Sequence, residues 1–552
     1  MIIKLKVYFS TIIKTVFLTQ FKIMETKNKS ALTTRAVIVG VIGLALITAS
    51  SMYVAVKMGA LPWPAVFVTV LSMTVLKRAK NSTLEEINCT HTLMSAGSMV
   101  AGGLAFTVPG LWIMNQANSI SFIAVLVSSI VGALLGTLFT SIYRTQLIEK
   151  DNLPYPIGEA AYKTLMTEKE KKSSPWLFSS LGGSALFTFI RDFFHKIPSV
   201  VTIFKGSSLF PALSFYVSPM ALSIGAIIGP TLSLFWTLGM VFGYYILTPL
   251  GLKLNYFSSM ESAQSFRSSI GLGIMIGTGF AVVIKAIYSA IKNRKNTTNE
   301  KKERDNKKLI TSALIVVFSI LLLTIFTELT LIESILTVIG AAVATYLSSM
   351  LTGQTGINPM EVFAILVLLA VHAICSTGLT AAFTLASCVA VACGLSGDVM
   401  NDFKSGSLVG TNPKDQVKAE AIGGIIGAII ATAVLFLMKK VFVLGSPEMP
   451  APQAQAVASM AGGLDNPLAF YIGVAIGFVM FLFALPSSAF GLGVYLGPYI
   501  TISVALGALI VWIIKKIKGE KTEEKISLVS AGLLGGEGCA GVFIAFITMF
   551  MG

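Results

Sequence analysis

The sequence predicts an all-α, polytopic integral membrane protein of about 14–16 transmembrane helices. It further predicts two homologous halves with broken or re-entrant helices. Three observations carry this. Hydrophobic residues make up 54% of the 552 residues and charged residues only 12%, against roughly 25% charged in a soluble domain. The apolar runs are about 20 residues long and do not alternate, so they read as spanning helices and not as barrel strands. Finally, Pro and Gly interrupt two long charge-free stretches, 206–252 and 466–514. Such breaks free backbone groups that hydrocarbon cannot satisfy, and they are tolerated where protein buries them or where they line a wet cavity.

The composition excludes a soluble enzyme, a disordered chain and a nucleic-acid binder. The net charge of +15 sits in short loops between apolar runs, the cytoplasmic excess of a membrane protein. Cys89, Cys375, Cys388, Cys393 and Cys539 lie in apolar stretches without metal or disulfide spacing. His91, His195 and His372 are too scattered for a metal site, and neither a metal nor another cofactor is expected.

Residues 1–35 form a basic N-terminal segment. Lys4, Lys6, Lys14 and Lys22 interrupt its apolar residues, and no secretory cleavage site follows. Two readings stand: an amphipathic helix on the membrane surface, or a chain that begins at Met24. A first transmembrane half spans 36–291, with apolar segments at 36–58, 62–76, 89–114, 118–143, 176–190, 219–229, 231–248 and 268–291. A charged linker, 292–308, joins it to a second half, 309–552. The basic N-terminus, linker and 515–525 stretch are expected on the cytoplasmic side. The loop 443–465, which has no Lys or Arg, is expected outside.

The halves show in short matches that fall in the same order. Leu153-Pro-Tyr-Pro-Ile-Gly-Glu-Ala160 answers Met449-Pro-Ala-Pro-Gln-Ala-Gln-Ala456, and Gly59-Ala-Leu-Pro-Trp-Pro64 loosely answers Thr355-Gly-Ile-Asn-Pro359. Gly225–Pro230 answers Gly493–Pro498, and Ser269–Leu272 answers Ser530–Leu533. Duplicated halves with breaks at matched positions point to a transporter's substrate site.

The candidate functional residues are polar groups in or beside these segments. The first cluster, Thr83 to Gly97, holds Glu86, Asn88 and His91. Its plainer reading is a helix start at the membrane edge. Tyr155 and Glu159 belong to the first Pro-x-Pro element, where Pro156 presets a helix and Glu159 falls in its first turn. Gln453 and Gln455 occupy the matched element, and Asn358 lies in the loop that answers Gly59–Pro64. Half-helix ends of this kind suit a carboxylate or a peptide group. A third cluster, Gly397 to Lys404, mixes both charges with turn formers and reads most simply as a cytoplasmic loop. Glu537 stands alone among glycines in an apolar run, which points to function. No phosphate-binding Gly-x-x-x-x-Gly-Lys motif and no hydrolase or protease signature is present. An ATP-driven pump and an enzyme are therefore not expected.

Several of these pieces resemble the oligopeptide transporter (OPT) family, which includes the yellow-stripe-like carriers. They are Glu86 to Pro109, Leu153 to Ala161, Ser218 to Pro230, Gly397-Asp398 to Gly410-Thr-Asn-Pro413, Met449 to Ala454 and Ala531 to Glu537. The resemblance runs from about Ala36 to the C-terminus, and His91 and Ser98 depart from the family's pattern. It implies a secondary carrier of about 16 helices in a prokaryotic cell membrane, importing small peptides or amino-acid-like compounds by proton symport. Its partners would be the small-molecule substrate, a coupling proton and lipid. Carriage of metal chelates or siderophore-like ligands, and a passive channel, are the alternatives. Among the carboxylates, Glu537, Glu159 and then Glu86 are the expected coupling groups, because a carrier that uses protons needs a buried, titratable acid.

Overall fold

The structure is a computed structural model. It describes residues 30–551 apart from 60, 62–64, 77–81, 115–119, 167–173, 208–209, 295–305, 357, 463–465 and 520–521. The N-terminal segment as far as residue 29 and most of the charged linker thus lie outside the described residues.

The described residues begin with α1 (Thr34–Met58), α2 (Ala65–Leu76), α3 (Leu84–Ala105), α4 (Pro109–Ile113) and α5 (Phe122–Arg144). Then come α6 (Pro156–Met166), α7 (Ser174–Thr188), α8 (Pro219–Met240), α9 (Thr248–Lys253) and α10 (Met260–Arg294). An antiparallel hairpin of β1 (Val200–Phe204) and β2 (Leu213–Tyr216), pairing Val200 with Tyr216, precedes α8. Beyond the linker lie α11 (Asn306–Phe326), α12 (Leu331–Thr355), α13 (Met360–Cys375), α14 (Leu379–Val409) and α15 (Pro413–Val441). The chain ends with α16 (Pro452–Gly462), α17 (Pro467–Leu482), α18 (Ser487–Tyr495), α19 (Pro498–Lys518) and α20 (Glu523–Met551).

Among the described residues, ten helices are long and apolar enough to cross a membrane, and three shorter apolar helices accompany them. The protein is an all-α, polytopic integral membrane protein. Other apolar runs are too short to cross. Among the described residues, helices α2, α16 and α18 hold 12, 11 and 9 residues, and at about 1.5 Å per residue none reaches the roughly 30 Å of a bilayer core.

Local chemistry sets the helix ends. Thr33 caps α1 by accepting from the Ala36 N–H at 3.2 Å. Thr330 and Glu333 form a reciprocal capping box on α12. Both long helices stop at a left-handed glycine, Gly59 (φ 64°) and Gly356 (φ 75°), which other residues adopt only under strain. The break anticipated after Gly225 is present: Gly229 leaves helical geometry (φ 78°, ψ 178°) just before Pro230.

The two Pro-x-Pro elements dock reciprocally. Tyr155 (φ 46°) donates its N–H to the Gly353 carbonyl at the end of α12, at 3.0 Å, and α6 starts at the next residue. Ala451 (φ 43°) donates to the Val56 carbonyl at the end of α1, at 2.9 Å, and α16 starts there.

Helices α3 and α14 are among the most deeply buried spans and pack on each other. Glycines allow the closest crossings elsewhere. Gly273 and Gly277 of α10 face Gly473 and Gly477 of α17, and a Cβ on any of the four would strike the other helix's backbone.

Candidate functional site

A cavity of about 250 Å³ opens between the ends of the broken helices. Gly59 and Leu61 border it where α1 stops, and Gly356 and Asn358 where α12 stops. One face of α3 lines it through His91, Ser95 and Ser98, spaced four and three residues apart. Helix α14 supplies Gly397, Asp398, Asn401 and Asp402. The first turns of α6 and α13 also reach it, with Gly158 and Glu361. Two helix N-termini, carrying the positive end of the helix dipole, therefore share a cavity with three carboxylates, and among the described residues no Lys or Arg lines it.

The polar groups are held by long-range hydrogen bonds. His91 Nδ1 lies 3.3 Å from Asp402 Oδ1. The Ser95 hydroxyl donates to the other Asp402 oxygen at 3.1 Å. The Asp402 carbonyl accepts from Gln416 Nε2 at 2.6 Å, which also reaches Asn88 Oδ1 at 3.1 Å. Asn88 in turn donates to the Ser405 hydroxyl at 2.9 Å. Asn401 fixes α6 on α14: its Oδ1 accepts from the Gly158 N–H at 3.1 Å, and its Nδ2 donates to the Gly397 carbonyl at 3.0 Å. Asn358 pins the end of α12, accepting from the Ser348 hydroxyl at 2.7 Å and donating to the Cys393 carbonyl at 2.8 Å.

Of the residues singled out in the sequence, His91 and Asn358 line the cavity. Asn88 sits one turn away in the buried network just described. Tyr155 is fully buried and donates its hydroxyl to the Ser349 carbonyl at 3.1 Å, anchoring the start of α6. Glu159 is half-buried in the first turn of α6, beside Gly158 but outside the lining. Gln453 and Gln455 serve the matched element. Gln453 Nε2 donates to the Gly59 carbonyl at 3.1 Å, and Gln455 Nε2 to the Pro450 carbonyl at 3.0 Å.

Two carboxylates occupy other places. Glu86 stands in the first turn of α3 and accepts both Nε and Nη2 of Arg35 at 2.6 Å, with the Thr33 hydroxyl as a further donor. It ties the starts of α1 and α3 together. Glu537 is fully buried on α20. Arg191 Nη2 approaches it at 2.9 Å, the Ser218 hydroxyl at 2.8 Å and the Met220 N–H at 2.8 Å. The last two belong to the N-terminus of α8, where the dipole favours a negative charge. Lys57 lies nearby, its ammonium 3.0 Å from the Tyr53 hydroxyl and 5.0 Å from the centre of the Tyr216 ring.

The Gly397–Lys404 cluster is not a loop. It is the continuation of the 31-residue helix α14. Asp398 and Asp402 fall on one face, four residues apart, and meet Glu420 of α15. One carboxylate oxygen from each lies within 4.8 Å of the others. Their spacing was the available signal, but the turn formers around them hid it.

A family model described as the OPT oligopeptide transporter protein matches residues 31–548. A Haemophilus influenzae protein, named as a candidate oligopeptide transporter, is 26% identical over 90% of this chain and 92% of its own length. One metal-nicotianamine transporter of Arabidopsis thaliana is 24% identical over 72% of this chain and 69% of its own length. Another is 32% identical over 27% of each. The chain belongs to the OPT family of transporters.

Proposed function

We propose that this protein is a secondary active carrier in the cell membrane, importing small oligopeptides or related amino-acid-like compounds together with protons. The observation that carries the reading is the bipolar cavity between the broken helix ends. The N-termini of α6 and α13 suit a substrate carboxylate or carbonyl, and Glu361, Asp398 and Asp402 suit an ammonium group. A zwitterion satisfies both ends at once. No covalent step is required, and the chain carries no nucleotide-binding motif.

Residues 36–291 and 309–552 act in this reading as two related halves. The left-handed Gly59 and Gly356, the helix starts at Pro156 and Pro452, and the reciprocal docking of Tyr155 and Ala451 support that view. Each half's short helix rests on the stop of the other half's long helix, a geometry suited to alternating access. The Arabidopsis relatives' names favour one second reading, a chelate of a metal with an amino-acid-like ligand.

Uptake into proteoliposomes tests both. Labelled di- to tetra-alanine should accumulate above its outside concentration when an inward proton gradient is imposed. It should only equilibrate without one. A radiometal–nicotianamine arm separates the second reading. Equilibration alone under every gradient would leave a passive pore and overturn the proposal.

A further inference from the structure

One carboxylate near the cavity has no task in substrate binding. Glu420, on α15, is fully buried behind the cavity wall, and neither of its side-chain oxygens has a hydrogen-bond partner. It points at Asp398 and Asp402, within the 4.8 Å that encloses one oxygen of each acid. Asp398 Oδ2 and Gln416 Oε1 are likewise buried without a partner.

The charged neighbours do not neutralise this cluster. From α3, His91 Nδ1 lies 3.3 Å from Asp402 Oδ1. From α13, Glu361 adds another acid on the cavity wall. On α14, the Lys404 ammonium bonds Asn152 Oδ1 at 3.2 Å. On α15, Asp415 accepts the Ala31 N–H at 2.9 Å, and Lys418 lies 3.8 Å from Asp415. Helices α1 and α20 pack on α15, and on them Arg35 pairs with Glu86, Lys57 bonds the Tyr53 hydroxyl and Glu537 pairs with Arg191. Helices α5, α6 and α12 also pack on α14. Of their ionisable groups, Arg144 pairs with Glu149 and Glu333 with its own helix cap, while Glu159 and Lys163 stay outside the cavity lining. Three carboxylates this close, two of them buried, repel one another unless a cation sits among them, and a shared proton is the smallest one that relieves the repulsion.

We propose that Asp398, Asp402 and Glu420 form the proton-binding site of this carrier. The proposal rests on the proton-symport reading above and gives it an address. A proton enters from the cavity, binds an oxygen of Asp398 or Asp402, and passes to Glu420 behind the wall. Asp398 and Asp402 are then left to pair with the substrate's ammonium. On the far side the proton leaves as it came, with no bond made or broken in the substrate. Coupling follows from desolvation. Closing the cavity over an unneutralised cluster is unfavourable, so the carrier changes state only when proton and substrate have both offset the acids.

The test uses the full chain in proteoliposomes, with the alanine peptide that the wild type accumulates. Glu420→Gln keeps the side chain's size but cannot titrate. Its accumulation ratio should fall to one, while counterflow of the peptide stays measurable and loses its pH dependence. Glu333→Gln, a buried acid in the α12 capping box, should accumulate like the wild type. Carbodiimide labelling of the wild type needs no variant, and its modification should fall on peptides carrying Asp398, Asp402 or Glu420. Wild-type accumulation with unchanged pH dependence in Glu420→Gln would overturn this site but leave proton symport standing. Labelling confined to other segments would do the same. A wild type that ignores the proton gradient would instead remove the symport reading, and this site with it.

Discussion

Arg191→Ala is expected to be among the most destabilising single substitutions in the bundle. The guanidinium is fully buried and binds Asp192 through Nε at 2.6 Å and Glu537 through Nη2 at 2.9 Å. It also donates to the Val217 carbonyl, at the entry to α8. Removing it leaves the Glu537 carboxylate inside the protein without its cation, which typically costs about 3–5 kcal/mol. Thermal melting in detergent should show a clear fall for Arg191→Ala. Adding Glu537→Gln to that variant should recover part of the loss, because it removes the stranded charge while keeping acceptors for Ser218 and Met220. Equal melting of wild type and Arg191→Ala would show that the pair is not structural, and would return Glu537 to the front of the coupling candidates.

The second large effect is expected at Gly158. A Cβ there would strike the Asn401 backbone, so the first turn of α6 rests on α14 only because this residue has no side chain. Gly158→Val should push α6 away, break the hydrogen bond to Asn401 and widen the cavity. Overpacking of this kind costs about 1–3 kcal/mol, roughly fivefold to 150-fold in the population of the closed site. Because the strain is local to a short helix, the protein should still fold. Uptake should fall by that factor with little change in melting temperature, and Gly158→Ala should lie between. Normal uptake by Gly158→Val would mean that α6 need not seat on α14 during transport.

How far the sequence reaches depends on the range of the interaction involved. Pro156, Pro452 and the Gly229–Pro230 break act on their own backbone, so their positions were legible from residue type alone. The hairpin at 200–216 was not, because short apolar runs carry little to separate strand from helix. The continuation of α14 through Gly397–Lys404 was not legible, because Gly397, Asn401 and Asp402 are turn formers in isolation. Packing against α3, α6 and α15 overrides that local preference. The partners of the acids were out of reach for a different reason. Arg35 is 51 residues from Glu86, and Arg191 is 346 residues from Glu537. Isolation in sequence therefore made Glu537 look free, whereas the fold surrounds it with donors. Glu420 shows the reverse. It sits at the edge of an apolar run next to Lys418 and resembles an ordinary helix start, yet both of its carboxylate oxygens are buried without a hydrogen-bond partner.

The account stands on the cavity between the ends of α1 and α12 being where substrate binds. Ser98 lines it from α3, and alkylation of Ser98→Cys, with the five native cysteines replaced, reads occupancy directly. A peptide that the carrier accumulates should slow the alkylation, reaching half of its full effect at the concentration that half-saturates uptake. A non-transported control such as an N-acetylated, C-amidated peptide of the same length should not. If a saturating transported peptide leaves the alkylation rate unchanged, substrate passes elsewhere and the cavity is not the binding site.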